Sequence, residues 1–141
     1  MILNTTYYEK EHKSLLQDIV GKSFSFWQAL RLYGIGSKRM IISTVSPNLQ
    51  QYLNKTFDLN YANIELRPYG ILVHINKGLN NYTWAIPFSQ LHIYKTKGIS
   101  IHAQGKFIQF KNNRMLKENK KFFEKIMLKR IEFLNHYNLP I

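Results

Sequence analysis

The 141-residue chain contains no cysteine. That removes disulfide frameworks, thiolate metal sites and cysteine nucleophiles together. Carboxylates are scarce as well: eight Asp and Glu stand against 20 Lys and Arg. From Leu66 to Lys117 there is no carboxylate at all, across a stretch that holds eight Lys and Arg. Acid–base catalysis by paired carboxylates is therefore poorly supplied, and Glu9, Glu11 and the acids near the C-terminus read as solvated surface groups. The seven glycines form no G-x-G-x-x-G or Walker pattern, and no G-x-S-x-G is present. No apolar run reaches the ~18 residues of a membrane span. The opening MILNTTYYEKEH has no basic region followed by an apolar core, so the expected location is the cytoplasm.

What the chain does have is apolar bulk, 45% of residues with 14% aromatic, which excludes a disordered tail. A chain this long buries roughly 68–70% of its unfolded surface and needs no metal or disulfide staple. Its net charge of +12 is uneven, +3 over residues 1–60 (seven basic, four acidic) and +9 over residues 61–141 (13 basic, four acidic). Such a field favours polyanions: nucleic acid, anionic lipid or an acidic protein face. A second origin stands beside it. Fifteen Lys to five Arg, with many Asn and Ile, is also what codon drift in an A/T-rich genome produces.

Residues 62–111 alternate apolar and polar with period two, punctuated by turn residues, as antiparallel hairpins do. Register tests this, because paired residues share a face. Pairing Leu66 with Ile71 brings Ile64 to Val73 and Ala62 to Ile75. Pairing Ile75 with Tyr82 brings Val73 to Trp84 and Ile71 to Ile86. Pairing Lys95 with Ile99 leaves a Thr96-Lys97-Gly98 loop and sets Ile93 against Ile101 and Leu91 against Ala103. A Gln104-Gly105 turn then sets Ile101 against Ile108 and Ile99 against Phe110. Every hairpin matches apolar with apolar. Pro87 has no N–H to give a ladder, so a bend is expected at Ile86–Ser89.

From about Met115 to His136 the period becomes helical. Phe123, Met127, Ile131 and Leu134 form one stripe, widened by Phe122, Ile126, Phe133 and Tyr137. The first sixty residues predict a helix over Thr6–Val20 with Tyr7, Leu15 and Ile19 as its apolar positions. A second helix follows, capped by Ser23 or Ser25, in which Phe26, Trp27, Leu30 and Tyr33 recur at helical spacing. Gly34 and Gly36 end it. Arg39–Val45 is a candidate strand, and Ser46-Pro47 opens a short helix carrying Leu49, Tyr52 and Leu53.

The segments Asn63–Ile75, Trp84–Ile93 and Phe110–Phe123 resemble bacterial pleckstrin-homology-like domains. The family pattern is a short strand and a Gly turn, here Pro68-Tyr69-Gly70, then a strand such as Ile71–Ile75. A Trp-x-Ile-Pro-x-Ser-like stretch follows, matched by Trp84 to Leu91, and one amphipathic helix closes the barrel. Lys111 to Arg114 resembles the basic turn before that helix. Six strands are legible where the family has seven, with Arg39–Val45 as the candidate seventh. Phosphoinositide-binding members carry a Lys/Arg cluster around the first hairpin; this chain offers Arg67 there and Lys77 on the next loop. The resemblance implies an α+β fold in which an antiparallel β-meander forms a PH-like, partly open barrel closed by the C-terminal helix. Residues 61–141 form that domain, and residues 1–60 a mostly helical extension.

Five histidines remain to be placed. The register sets His92 opposite His102 on the outer face and puts His74 on the outer face of its own strand. Two cross-strand imidazoles fall short of the three or four ligands a metal site wants, so exposed sheet histidines are the simpler reading. Tyr94 and Phe107 beside Lys95, Lys97 and Lys106 set aromatics next to cations, as stacking platforms do, without an RNP-like or helix-turn-helix signature.

The expected activity is binding rather than catalysis, with no cofactor or metal. The expected partner is another protein or an anionic lipid surface, which puts the chain at the inner face of a membrane; nucleic acid is the alternative. The candidate contact residues are Lys95, Lys97, Lys111, Arg114, Lys117 and Lys121, expected to gather at one end of the meander. Lys106 is expected at the opposite end, and Lys125 further along the helix.

Overall fold

The computed structural model describes residues 1–54 and 59–141; Asp58, one of the eight carboxylates, lies outside them. Its eight strands are β1 (Ile2–Asn4), β2 (Met40–Val45), β3 (Tyr61–Arg67), β4 (Gly70–Lys77), β5 (Asn80–Pro87), β6 (His92–Tyr94), β7 (Ser100–Ala103) and β8 (Lys106–Phe110). The helices are α1 (Lys10–Val20), α2 (Phe26–Arg31), α3 (Arg114–Lys117) and α4 (Lys120–His136), with 3₁₀ turns at Pro47–Tyr52 and Phe88–Gln90. All pairings are antiparallel, in the order β1-β5-β4-β3-β2-β8-β7-β6, and the sheet does not close on itself. This is an α+β fold with a C-terminal helix, consistent with a partly open barrel.

The hairpin registers follow the apolar matching. Leu66 faces Ile71, Ile64 faces Val73 and Ala62 faces Ile75. Ile75 faces Tyr82, Val73 faces Trp84 and Ile71 faces Ile86. Ile93 faces Ile101, and Ile101 also faces Ile108. Three expected pairs lie beyond the ladder, Lys95 with Ile99 among them, because β6 ends at Tyr94 and β7 begins at Ser100. Leu91 falls in the bend before β6, and Ile99 meets Phe110 only through a hydrogen bond, Phe110 N–H to Ile99 O at 2.9 Å. The β7–β8 turn uses Gln104 and Gly105 with φ of 55° and 73°, the left-handed pair a two-residue hairpin turn needs. At Gly70 any Cβ would run into the Ile86 carbonyl and the Pro87 backbone, so only glycine lets β4 lie this close to the end of β5.

β2 switches sides midway. Met40 and Ile41 pair with β3; Ile42, Thr44 and Val45 pair with β8 across an irregularity at Ile42–Thr44. A bulge of this kind lets one strand serve two differently oriented halves of a sheet. Pro87 ends β5, and the chain turns through Phe88–Gln90 into the other half. Between the halves lies the core of Met40, Ile64, Trp84, Phe88, Ile108 and Phe110, into which α4 sends Phe122, Phe123 and Ile126. On the opposite side of β4–β5, α1 lays Leu16 and Val20 on Leu72 and Ala85.

Several expectations are corrected. Residues 2–4 form a strand, β1, added to β5, and the first helix begins at Lys10 rather than Thr6. Its buried positions are Leu16 and Val20, while Leu15 and Tyr7 are exposed. Leu16–Val20 and Leu15–Ile19 both have i, i+4 spacing, and the Leu72–Ala85 surface buries the first pair. The C-terminal helix is two helices. Asn119 is buried at the break, accepting from Lys38 N–H at 2.9 Å and donating to the Lys38 carbonyl at 3.2 Å. That exchange with the approach to β2 uses the side chain a continuous helix would leave in solvent. On α4, Met127 is half-buried and Ile131 exposed, so the covered stripe is Phe122, Phe123, Ile126 and Leu134.

Candidate binding surfaces

The six cations expected to gather, Lys95, Lys97, Lys111, Arg114, Lys117 and Lys121, are all exposed, and Lys121 does not share the groove of Lys97 and Lys111. Lys97 and Lys111 line one groove of about 650 Å³, together with Tyr94, His102, Gln109 and Asn112. The β6–β7 loop reaches this place because Lys97 and Gly98 both take positive φ, and the Lys97 carbonyl accepts from the Gln109 amide at 3.3 Å. Gly98 lies against Asn112 and Leu116, which brings the N-terminal end of α3 to the same edge. Arg114 on α3 is 3.7 Å from Glu118, so part of its charge is used locally. Lys121 lies elsewhere, in a groove with Tyr33, Lys38, Phe122 and Lys125. Lys106 lines a third groove with Gln90, His92, His102 and Phe107.

The outer face of β6–β8 carries an aromatic row, Tyr94, His102 and Phe107, of which Tyr94 is exposed and the other two are half-buried. Tyr94 and His102 meet edge to face with centroids 4.8 Å apart, and His102 stacks on Phe107 at 5.4 Å. His92 and His102 are direct cross-strand partners. Burial, with the His92 charge adding to it, holds the His102 imidazole below its ordinary pKa. Among the described residues no cluster of three or more His, Asp or Glu is placed to hold a metal ion.

The outer face of β3–β5 holds a polar network instead. Arg67, 7% exposed, donates from Nε to Glu65 and from Nη1 to the Gly21 carbonyl at 3.0 Å. Glu65 Oε1 is also 3.5 Å from His74 Nε2, and His74 Nδ1 is 3.1 Å from Thr83 Oγ1. Burial would raise the Glu65 carboxyl, but hydrogen bonds to His74 and Arg67 and their charges outweigh it and hold the pKa down. Each member has a partner within the network. The cluster ties α1 and the β3–β4 turn together.

A third surface was not singled out by charge. α2 is fixed at its start by Ser25, whose Oγ accepts from Gln28 N–H at 3.3 Å while Ser25 N–H donates to Gln28 Oε1 at 3.0 Å. At its end Leu32, Tyr33 and Gly34 N–H donate to the Gln28, Leu30 and Ala29 carbonyls, and Lys125 Nζ donates to the Tyr33 and Gly34 carbonyls of the following turn at 3.4 and 2.9 Å. Lys125 thus ties the turn after α2 to α4, and desolvation lowers its pKa. The helix nevertheless leaves Phe26 70%, Trp27 71% and Leu30 53% exposed, and Tyr33 in the turn after it is 94% exposed. Around it stand Arg31, Lys129, Lys38, Lys121 and Lys125, in the grooves on either side. The sequence signal was present in the Phe-Trp-x-x-Leu-x-x-Tyr spacing. Periodicity identifies a helical face, not what covers it.

Among the described residues no helix is long and apolar enough to cross a membrane. No family model, curated protein or solved structure matches this chain.

Proposed function

We propose that the chain is a non-enzymatic, PH-like binding module that docks on an anionic membrane surface, with α2 inserted among the headgroups. The observation that carries this reading is the exposure of Phe26, Trp27 and Leu30 on α2, whose first turn is capped by Ser25. A contiguous apolar patch rimmed by cations suits an interface that is apolar below and anionic above. Full burial of a large side chain contributes about 1.5–3 kcal/mol, and each cation near an anionic leaflet adds ~1 kcal/mol. Partial insertion of three side chains with a few cations gives reversible attachment. The PH-like assignment rests on the Pro68-Tyr69-Gly70 turn, the Trp84 to Leu91 stretch and the C-terminal helix packed into the barrel mouth.

The test is co-sedimentation with vesicles of phosphatidylserine in phosphatidylcholine, at low and high salt. Binding should fall with salt, and Trp27→Ser should weaken it at least tenfold. Absence of binding at low salt, or an unchanged Trp27→Ser variant, rejects the reading. A second reading has its own support. The Tyr94–His102–Phe107 row beside Lys97 and Lys111 suits single-stranded nucleic acid, where base stacking contributes about 1–3 kcal/mol per base. Tighter binding to single-stranded DNA or RNA than to vesicles, lost in Tyr94→Ala, would put that function first. If the chain binds neither, α2 becomes the contact for a protein partner.

A further inference from the structure

Between α2 and the C-terminal half of α4 runs a groove of about 540 Å³, within the ~300–1,000 Å³ of small-ligand sites. Its floor is aromatic. Phe133 is the centre, with ring centroids 5.9 Å from Tyr69, 5.6 Å from Phe88 and 4.8 Å from Tyr137. Phe24 and Leu32 line the groove from the α2 side. Its rim is basic, with Arg31 on one wall and Lys129 and His136 on the other. The one carboxylate there, Glu132, is 3.2 Å from Lys129 and offsets a single charge.

An apolar floor under a cationic rim matches a ligand with the same two-part chemistry. A soluble sugar phosphate has nothing to lay on Phe133 and Tyr69, and a neutral hydrocarbon leaves Arg31 without a counter-ion. We propose that this groove takes one molecule of an anionic phospholipid. Its phosphate lies against Arg31 and Lys129, and one acyl chain runs along Phe24, Tyr69 and Phe133. This inference rests on the membrane reading, and the geometry links the two. Trp27 and Arg31 are i, i+4 neighbours on α2, so the inserted side chain and the groove rim share an edge. Docking of α2 would bring the rim to the headgroup layer, where a lipid can leave the leaflet without crossing water. The membrane would then be bound in two ways, by a non-selective apolar anchor and by a groove that selects for the anionic head.

Monomeric lipid separates the two. The full-length protein is titrated with dihexanoyl phosphatidic acid below its micelle concentration, and binding is followed by two-dimensional NMR. Parallel titrations use dihexanoyl phosphatidylcholine and inorganic phosphate. The expected result is saturable binding of phosphatidic acid with shifts centred on Arg31, Tyr69 and Phe133, and binding at least tenfold weaker for the other two. Arg31→Glu with Lys129→Glu should weaken phosphatidic acid tenfold or more. Exposed Tyr137→Ala, which spares the buried core, should weaken it several-fold. Trp27→Ser should leave monomer binding within twofold while it lowers vesicle partitioning. Vesicle binding without saturable monomer binding overturns the groove and leaves the membrane reading standing. Equal affinity for phosphatidylcholine, or for phosphate alone, also overturns it. If neither monomers nor vesicles bind, both readings fail.

Discussion

α1 and α2 follow one another in the chain, and both are rich in apolar side chains. α1 buries Leu16 and Val20 on Leu72 and Ala85, whereas none of the residues of α2 is buried. The difference lies in what each helix has to pack against. α1 meets the outer face of β4–β5, where a small Ala85 beside Leu72 leaves room for two side chains. α2 faces α4 across a groove whose α4 wall includes the charged Lys129 and Glu132. Apolar surface on α1 therefore stabilises the fold, and apolar surface on α2 remains available to a partner.

Mutations that probe the folding side of this contrast should have the largest effects. Phe123→Ala removes a fully buried ring from the core and should cost about 3–5 kcal/mol in urea unfolding. Leu16→Ala, on the covered face of α1, should cost about 3 kcal/mol by the same measurement. If Leu16→Ala proves neutral, α1 is no better docked than α2 and the contrast is lost.

Glu65→Gln at neutral pH should cost about 2 kcal/mol. That is less than the ~3–5 kcal/mol of a fully buried pair, because the Glu65 side chain is 26% exposed. The Glu65 pKa is lowered by folding, so its contribution is present above the ordinary carboxylate range and fades as pH falls through the folded value. The gap between wild type and Glu65→Gln should therefore narrow as pH falls below the ordinary carboxylate range and close once it passes the lowered folded value. His102 works with the opposite charge. Its imidazole resists protonation in the folded state, so stability should fall slightly as pH drops below about 6.5. His102→Gln should flatten that slope in urea midpoints taken at pH 7.5 and 5.5. The smallest effect belongs to α2: Trp27→Ser should leave stability within ~0.5 kcal/mol, as surface changes do. A large loss there would show that α2 is part of the packed fold.

The strand half of the molecule was legible because its signals are local. Tight turns at Pro68-Tyr69, Gly78-Leu79 and Gln104-Gly105 fix the registers of their hairpins, and a one-residue slip would expose a row of Ile and Val. What was missed depends on distant partners. β1 is three residues long with no turn beside it, and only β5 makes it a strand. The break at Asn119 comes without Gly or Pro, since its cause is the Lys38 backbone. The course of the meander puts Lys111 beside Lys97, but a single continuous helix was needed to bring Lys121 to the same end, and Lys121 instead shares a groove with Lys38 and Tyr33. The α2 surface went unassigned because amphipathic spacing is the same whether a helix faces a core or solvent.

β2 also sets the order in which the molecule can assemble. β3, β4 and β5 pair with their immediate neighbours in the chain, so their loops close at low entropic cost. β2 bonds on both edges, and one partner, β8, comes only after the whole meander. Contacts of such long span form slowly. A nascent chain can thus hold the β3–β5 hairpins while the β6–β8 half still lacks its attachment. Amide protons of Ser46 and Lys111, which donate across the seam to the Phe107 and Ile41 carbonyls at 3.0 and 2.8 Å, then report whether the two halves are joined. Their exchange with solvent requires the seam between the halves to part, an opening distinct from the fraying of β1 or β6 at the sheet edges.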